Sequence, residues 1–109
     1  MATTTTATGP SDPFAIAADD STKLTEKPNS DELLELYSLY KIATGEDITK
    51  APEVGMFDLK GKSKRKAWQA KVDTRITPED AKAAYIALVE NFKVKYKYDP
   101  NKVSEKIGG

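Results

Sequence analysis

Two tyrosines and a lysine occur at helical spacing in the first half of the chain. Tyr37, Tyr40 and Lys41 stand at positions i, i+3 and i+4, so on a helix they share an arc of about 100°. A tyrosine ring can stack on a nucleotide base, while a phenol hydroxyl and an ammonium group bind phosphate. The same spacing is typical of two half-buried core tyrosines covered by a lysine stem. The spacing alone leaves both interpretations open.

A basic segment follows further along the chain. Positions 60 to 71 contain no acidic residue and six basic ones, namely Lys60, Lys62, Lys64, Arg65, Lys66 and Lys71. Lys62 and Lys66 share a helical face, so several ammonium groups would be presented together. A run of this kind is most often a solvated helix face, and Trp68 within it is expected in the core. If the chain has an anion-attracting surface, this segment is where we expect it.

Catalytic and metal-binding chemistry have little support in the sequence. The 109 residues include neither cysteine nor histidine, which removes disulfides, thiolate ligands and the commonest acid–base side chain. The paired acids Asp19-Asp20 and Asp31-Glu32 suit helix caps and solvent. No nucleophile elbow, phosphate-cradling glycine loop or metal-ligand spacing is visible. We therefore expect a protein that is not an enzyme and needs no cofactor or metal.

Charge and hydropathy restrict the partners and the compartment. The chain has 17 basic and 17 acidic residues, which argues against a general attraction to nucleic acid. No run approaches the roughly 20 apolar residues of a membrane span, and the N-terminus lacks a secretory pattern. We expect a cytoplasmic protein, at most in transient contact with membranes or enzymes, and a monomer.

Four segments of helical character must position these side chains. The first opens at Ser11-Asp12-Pro13 and the second at Asn29-Ser30, ending near Thr44. The fourth opens at Thr77-Pro78, with acids in its first turn, and continues into the nineties. These openings combine a capping side chain with a proline or with early acids. The third helix is predicted to be short, covering about 62–71. The sequence thus predicts an all-α domain.

The remaining segments are predicted to be a connection and two tails. Residues 45–61 contain three glycines and a proline and read as a long connection. Its apolar side chains are expected to pack against the bundle: Val54, Met56, Phe57 and Leu59. Residues 1–10 are predicted to be a disordered tail, 11–99 the helical domain, and 100–109 a frayed tail.

Several motifs, taken in order, resemble the acyl-CoA-binding protein family. The family pattern runs as YxxYKxAT, GD, PGxxDxxGKAKxxAW and a later AY. This chain carries YSLYKIAT at 37–44, GED at 45–47, GMFDLKGKSK at 55–64, AW at 67–68 and AY at 84–85. The resemblance covers about residues 14–97.

This resemblance implies a four-helix bundle of up-down-down-up topology that binds long-chain acyl-CoA as a carrier and pool former. Tyr40 would stack on adenine, and the 3′-phosphate would be held by Tyr37, Lys41 and Lys64. Tyr85 would close the pocket from the fourth helix, and Lys60 would add a contact. The proposed acyl-groove residues are Leu33, Leu34 and Leu59.

The chain departs from the family pattern at a few places, and other functions remain possible. Arg65 stands where many members have a second aromatic residue, and a basic residue common in the first helix aligns with Thr22, beside Lys23. The strongest alternative is a helical interaction module whose basic third helix meets an acidic protein. A nucleic-acid-binding module is a weaker alternative, since the tyrosines of this chain are predicted to lie on helices and not on a sheet.

Overall fold

Four α-helices account for most of the computed structural model, which describes residues 12–102. They are α1 (Pro13–Ser21), α2 (Ser30–Ala43), α3 (Leu59–Asp73) and α4 (Pro78–Lys95), and a 3-10 turn, Ile48–Lys50, follows α2. Within these residues no β-strand is present. The prediction of an all-α, four-helix domain is confirmed.

Three helices begin where their capping signals predict. The side chain of Asp12 accepts from the Ala15 amide at 3.1 Å at the start of α1. At the start of α2, Asn29 and Glu32 exchange two bonds of 2.9 Å between side chain and backbone, forming a capping box. At the start of α4, Thr77 accepts from the Asp80 amide at 3.0 Å. Each side chain satisfies an amide that has no partner within the helix.

The third helix is longer than predicted, since it begins at Leu59 and ends at Asp73 instead of covering about 62–71. Its cap is Asp58, whose carboxylate accepts from the Gly61 amide at 2.9 Å. Gly61, which suggested a break, belongs to the first turn. A Cβ at this position would overlap the carboxylate of Asp58, so glycine permits the close approach.

The core is built around α4, against which both α1 and α2 pack, while α3 packs on α2. Tyr85 of α4 meets Tyr40 of α2, and Lys95 of α4 meets Glu32 of α2, so these two helices run antiparallel. Buried apolar residues from every helix and from both connections that precede α3 form one cluster, including Ala17, Leu24, Leu39, Ile48, Trp68, Val89 and Phe92.

A short backbone clasp joins residues 23–26, which follow α1, to residues 96–99, which follow α4. Leu24 and Tyr98 form an antiparallel bridge. The amides of Thr25 and Glu26 donate to the carbonyls of Lys97 and Tyr96 at 3.0 and 3.1 Å. Residues 100–102 continue as a turn. The predicted N-terminal tail and residues 103–109 lie outside the described residues, and the predicted domain boundaries stay a prediction.

The connection before α3 differs from expectation. Val54 is half-buried, but Met56, Phe57 and Leu59 are 74%, 91% and 74% exposed. The prediction that these three side chains pack against the bundle is wrong, because the turn at 55–59 directs the chain into α3 before it can reach the core. None of the helices in the described residues is both long and apolar enough to cross a membrane.

Candidate ligand-binding site between α2 and α3

Two ammonium groups converge on the ring of Tyr37. The Nζ of Lys41, one helical turn further along α2, lies 5.5 Å from the ring centroid. The Nζ of Lys64, which belongs to α3, lies 5.4 Å from the same centroid. Both distances are within the range of cation–π attraction. The structure therefore brings together the three side chains that the sequence assigned to phosphate.

Trp68 forms the inner wall of this cluster. Its ring meets that of Tyr37 edge to face, with centroids 6.5 Å apart and planes at 88°, and Lys41 Nζ lies 5.5 Å from its centroid. The indole is buried, as predicted, and its Nε1 finds no hydrogen-bond partner in the described part of the chain. Tyr37 and Trp68 thus form the inner wall of the site, and the two lysines lie over their rings.

A cavity of about 520 Å³ opens beside these residues. Its volume lies within the range of small-molecule sites. The walls come from α2, from the connection 46–58 and from the first half of α3, and include Tyr37, Lys41, Ala51, Pro52, Val54, Lys64, Arg65 and Trp68. Within residues 12–102, no group of acidic side chains is arranged to hold a metal ion.

Charged residues that the sequence analysis did not place in the site also line this cavity, among them Glu46 and Arg65. Glu46 lies beyond the end of α2 and bonds Lys41 Nζ through both carboxylate oxygens at 3.0 Å. Arg65 donates to the carbonyls of Pro52 and Ile48 at 3.5 and 3.4 Å, which fixes the rim to α3. Arg65 could have been noticed because it stands where many family members have an aromatic residue. Glu46 gave no such signal, since it lies beyond α2 and no helical spacing connects it to Lys41.

Tyr40 and Tyr85 lie together in a separate aromatic cluster that does not line the cavity. Phe14 of α1 stacks on Tyr40 at 5.7 Å and meets Tyr85 at 5.0 Å, and the two tyrosine centroids are 5.9 Å apart. Tyr40 remains 39% exposed, while Tyr85 is buried. Burial raises the pKa of Tyr85, although a hydrogen bond with Ser21 acts in the opposite direction. Its phenol therefore stays neutral near pH 7.

The remaining predicted residues are dispersed. Leu34 lines a second groove of about 330 Å³ between α2 and α3, whose walls include Ser38, Ala67 and Ala70. Leu33 is half-buried and lines neither of these spaces. Lys60 and Leu59 are exposed at the start of α3, outside the lining of the cavity.

A comparison with protein families explains this combination of helices, lysines and aromatic residues. The family model described as acyl-CoA-binding protein matches residues 11–89. The chain belongs to the acyl-CoA-binding protein family. Members of this family are binding proteins without enzymatic activity, and the resemblance inferred from the motifs is confirmed.

Curated relatives agree with this membership over most of their length. The chain is 46% identical over 84 residues to acyl-CoA-binding protein homolog 1 of Caenorhabditis elegans, covering 76% of this chain and 93% of that protein. It is 44% identical over 78 residues to the Manduca sexta homolog, covering 72% and 84%. The Dictyostelium discoideum acyl-CoA-binding protein is 42% identical over 83 residues, covering 76% and 95%.

Proposed function

We propose that this chain binds long-chain fatty acyl-CoA esters with high affinity and serves as an intracellular carrier and pool former for them. The observation that carries the proposal is the convergence of Lys41 and Lys64 on the Tyr37 ring at the wall of a cavity. Membership of the acyl-CoA-binding protein family gives this anion site its ligand class.

The head of the ligand is multiply anionic, and the site offers matching donors. Ammonium groups and a phenol hydroxyl form charge-assisted hydrogen bonds to phosphate oxygens. We assign the 3′-phosphate to Tyr37, Lys41 and Lys64. Glu46 forms an ion pair with Lys41, but the side chain of Glu46 is nearly half exposed. Water can therefore replace the lysine around that carboxylate, and separating such an exposed pair costs at most about 1 kcal/mol.

The adenine is assigned to Tyr40, which lies one turn from Tyr37 on α2. The partly exposed ring is held from behind by Phe14 and Tyr85, so little side-chain freedom is lost when a base stacks on it. Tyr85 supports this platform from α4, and Lys60 remains a predicted further contact.

The acyl chain needs apolar surface, since each buried methylene contributes about 0.8 kcal/mol. Ala51, Pro52, Val54 and Trp68 supply such surface in the cavity. Leu34 supplies it in the second groove. Leu33 and Leu59 remain predictions for this role, as do the monomeric state and the cytoplasmic location. No bond is made or broken, so the protein can release the ligand unchanged.

Calorimetry with palmitoyl-CoA, free coenzyme A and palmitate tests the proposal. Palmitoyl-CoA should bind much more tightly than either fragment, because only the ester combines the anionic head with the buried chain. The single tryptophan, Trp68, lines the cavity, so its emission should change during the same titration. Equal affinity for coenzyme A and its palmitoyl ester would exclude the carrier function and favour an interaction module.

A further inference from the structure

Three large apolar side chains form an exposed tip where the chain enters α3. Met56, Phe57 and Leu59 are 74%, 91% and 74% exposed, and they make up half of the large exposed hydrophobic residues in the described part of the chain. Exposed apolar residues grouped in this way mark interaction sites more often than isolated ones do.

The backbone holds the tip in a defined turn. The Asp58 amide donates to the Gly55 carbonyl at 3.1 Å and the Leu59 amide to the Phe57 carbonyl at 3.1 Å. The Nζ of Lys62 donates to the Met56 carbonyl at 2.7 Å. The apolar side chains are therefore presented by a hydrogen-bonded turn, and little backbone order has to be created when they bind a surface.

Positive charge follows the tip along α3. Positions 54 to 68 contain five cationic residues and a single acid, Asp58, whose carboxylate already caps α3. Lys60 and Lys62 are exposed at the start of α3, and Lys66 is exposed one helical turn after Lys62. A surface that complements this arrangement has an anionic outer layer over an apolar interior. The interface of a bilayer with acidic lipids has this structure.

We infer that the tip docks the protein on anionic lipid bilayers, with Phe57 and its two apolar neighbours entering the interface and the lysines meeting the headgroups. In the ligand-free protein all three side chains face solvent, including Leu59, which is also a predicted contact of the acyl chain. For Met56 and Phe57 the acyl chain is a poorer occupant, because neither lines the cavity, although the neighbouring Val54, Gly55 and Asp58 do. Docking would therefore bring the wall of the cavity to the bilayer surface. The inference concerns the ligand-free protein and does not depend on the proposed carrier function.

Cosedimentation of the ligand-free full chain with vesicles tests the inference. Vesicles of phosphatidylcholine with about 30 mol % phosphatidylserine should bind the protein, and pure phosphatidylcholine should bind it much less. Phe57→Ser should lower the partition coefficient roughly tenfold, since a large apolar side chain is removed from the interface. Lys66→Ala should lower it about fivefold, and added salt should weaken binding in every case.

Matched variants separate docking from general stickiness and charge. Val94→Ser removes a residue that is 85% exposed on α4, and Lys27→Ala removes an exposed lysine from the connection before α2. Both should bind vesicles as the unaltered protein does. The inference is overturned if the unaltered protein ignores anionic vesicles, or if Val94→Ser weakens binding as much as Phe57→Ser. It is also overturned if Phe57→Ser lowers affinity for palmitoyl-CoA and leaves vesicle binding unchanged, since Phe57 would then contact the acyl chain.

Discussion

Within residues 12–102, lysines lie over tyrosine rings in two regions, and one of these regions borders the cavity. Between α2 and α3, Lys41 and Lys64 lie over Tyr37. In the last turn of α4, the Nζ of Lys93 lies 4.8 Å from the Tyr98 centroid, and the Nζ of Lys95 lies 5.4 Å from the Tyr96 centroid. The same two residue types and similar distances therefore occur in both places.

The carboxylates distinguish the two regions. At the end of α4, buried Asp20 bonds Lys93 at 2.6 Å and accepts from the Tyr98 hydroxyl at 3.0 Å. In the other region, Glu46 bonds Lys41 at 3.0 Å, and its side chain is 45% exposed, against 10% for that of Asp20. A tyrosine–lysine pair completed by a buried carboxylate stabilises the fold. A pair whose carboxylate is exposed beside a cavity remains available to an anionic ligand.

The largest expected effect comes from Asp20→Ala, which removes the carboxylate of the structural region. Lys93 would lose its shorter ion pair and keep only Glu90 at 3.1 Å, while the Tyr98 hydroxyl would lose its acceptor. With two hydrogen bonds to a buried charge removed, the free energy of unfolding should fall by about 3 kcal/mol. Urea denaturation measures this loss. Affinity for palmitoyl-CoA should not change, because Asp20 does not line the cavity.

The neighbouring Asp19→Ala is the control for that variant. Its carboxylate pairs with Lys23 at 3.1 Å and is partly exposed, so its loss should cost less than about 1 kcal/mol. Equal destabilisation by the two variants would mean that burial of the carboxylate does not distinguish them.

Lys41→Ala should weaken ligand binding and leave stability nearly unchanged, the opposite of what is expected for Asp20→Ala. Removing one phosphate donor should weaken binding of palmitoyl-CoA by about 1.5–3 kcal/mol, the range for hydrogen bonds to charged groups. The free energy of unfolding should change by less than about 1 kcal/mol, since the ion pair with Glu46 is partly exposed. Calorimetry and urea denaturation on the same sample provide the two values.

Two further variants sharpen this result. Lys95→Ala removes a lysine from the structural region and should leave the affinity unchanged. Glu46→Gln removes the competing carboxylate and should strengthen binding by at most about 1 kcal/mol. Unchanged affinity in Lys41→Ala would contradict the phosphate assignment, and weaker binding in Glu46→Gln would show that Glu46 positions the lysine instead of competing for it.

Tyr40 and Tyr37 should respond differently to loss of the hydroxyl. Tyr40→Phe keeps the ring face and should retain most of the affinity, whereas Tyr40→Ala should lose roughly 1–3 kcal/mol, the scale of base–aromatic stacking. Tyr37→Phe should already weaken binding, because its hydroxyl is assigned to phosphate. Identical helical circular dichroism is the control for all three variants. If Tyr40→Phe is damaging and Tyr37→Phe is silent, the two roles must be exchanged.

The smallest effect is a pH dependence in the structural region. Hydrogen bonds from Lys95 and then from Tyr96 lower the pKa of Glu32 from its ordinary value of 4.5 to about 2. A depressed pKa in the folded state means that this group stabilises the fold above pH 4.5 and that the contribution is lost as the pH falls towards 2.

Glu32→Gln tests this pH dependence and keeps a side chain that can complete the capping box. Thermal unfolding across the acidic range should show a shallower decline in the variant than in the unaltered protein. Parallel declines would indicate that other carboxylates dominate the acid response.

The two tyrosine–lysine regions also show which structural features a sequence can predict. The starts of α1, α2 and α4 were predictable because Asp12, Asn29 and Thr77 each act on amides within three residues. Tyr37 and Lys41 were predictable as a pair because they share one helix. The partners that complete each region come from other elements, as Asp20 of α1 does for Lys93 of α4. Local spacing carries no signal for such contacts.

The exposed tip was mispredicted for a related reason. Apolar residue types favour burial, but burial of Met56 and Phe57 depends on the path of the connection. That path is set by the local Asp58 cap together with the bonds from Arg65 to Pro52 and Ile48. Only the Arg65 bonds join different elements, and local spacing does not predict them. Family motifs supplied the identity of the site because they record such non-local arrangements in sequence order.

The clasp between residues 23–26 and 96–99 has a consequence for the order of folding. It joins positions as far apart as Thr25 and Tyr96, which are 71 residues apart, so closing it early would cost much chain entropy. Contacts within helices and between neighbouring helices cost less and form sooner. We expect the clasp to close after the transition state, with φ-values near zero. Stopped-flow kinetics of Thr25→Ala, which removes a side-chain bond to the Tyr96 carbonyl, should then show faster unfolding and an unchanged folding rate.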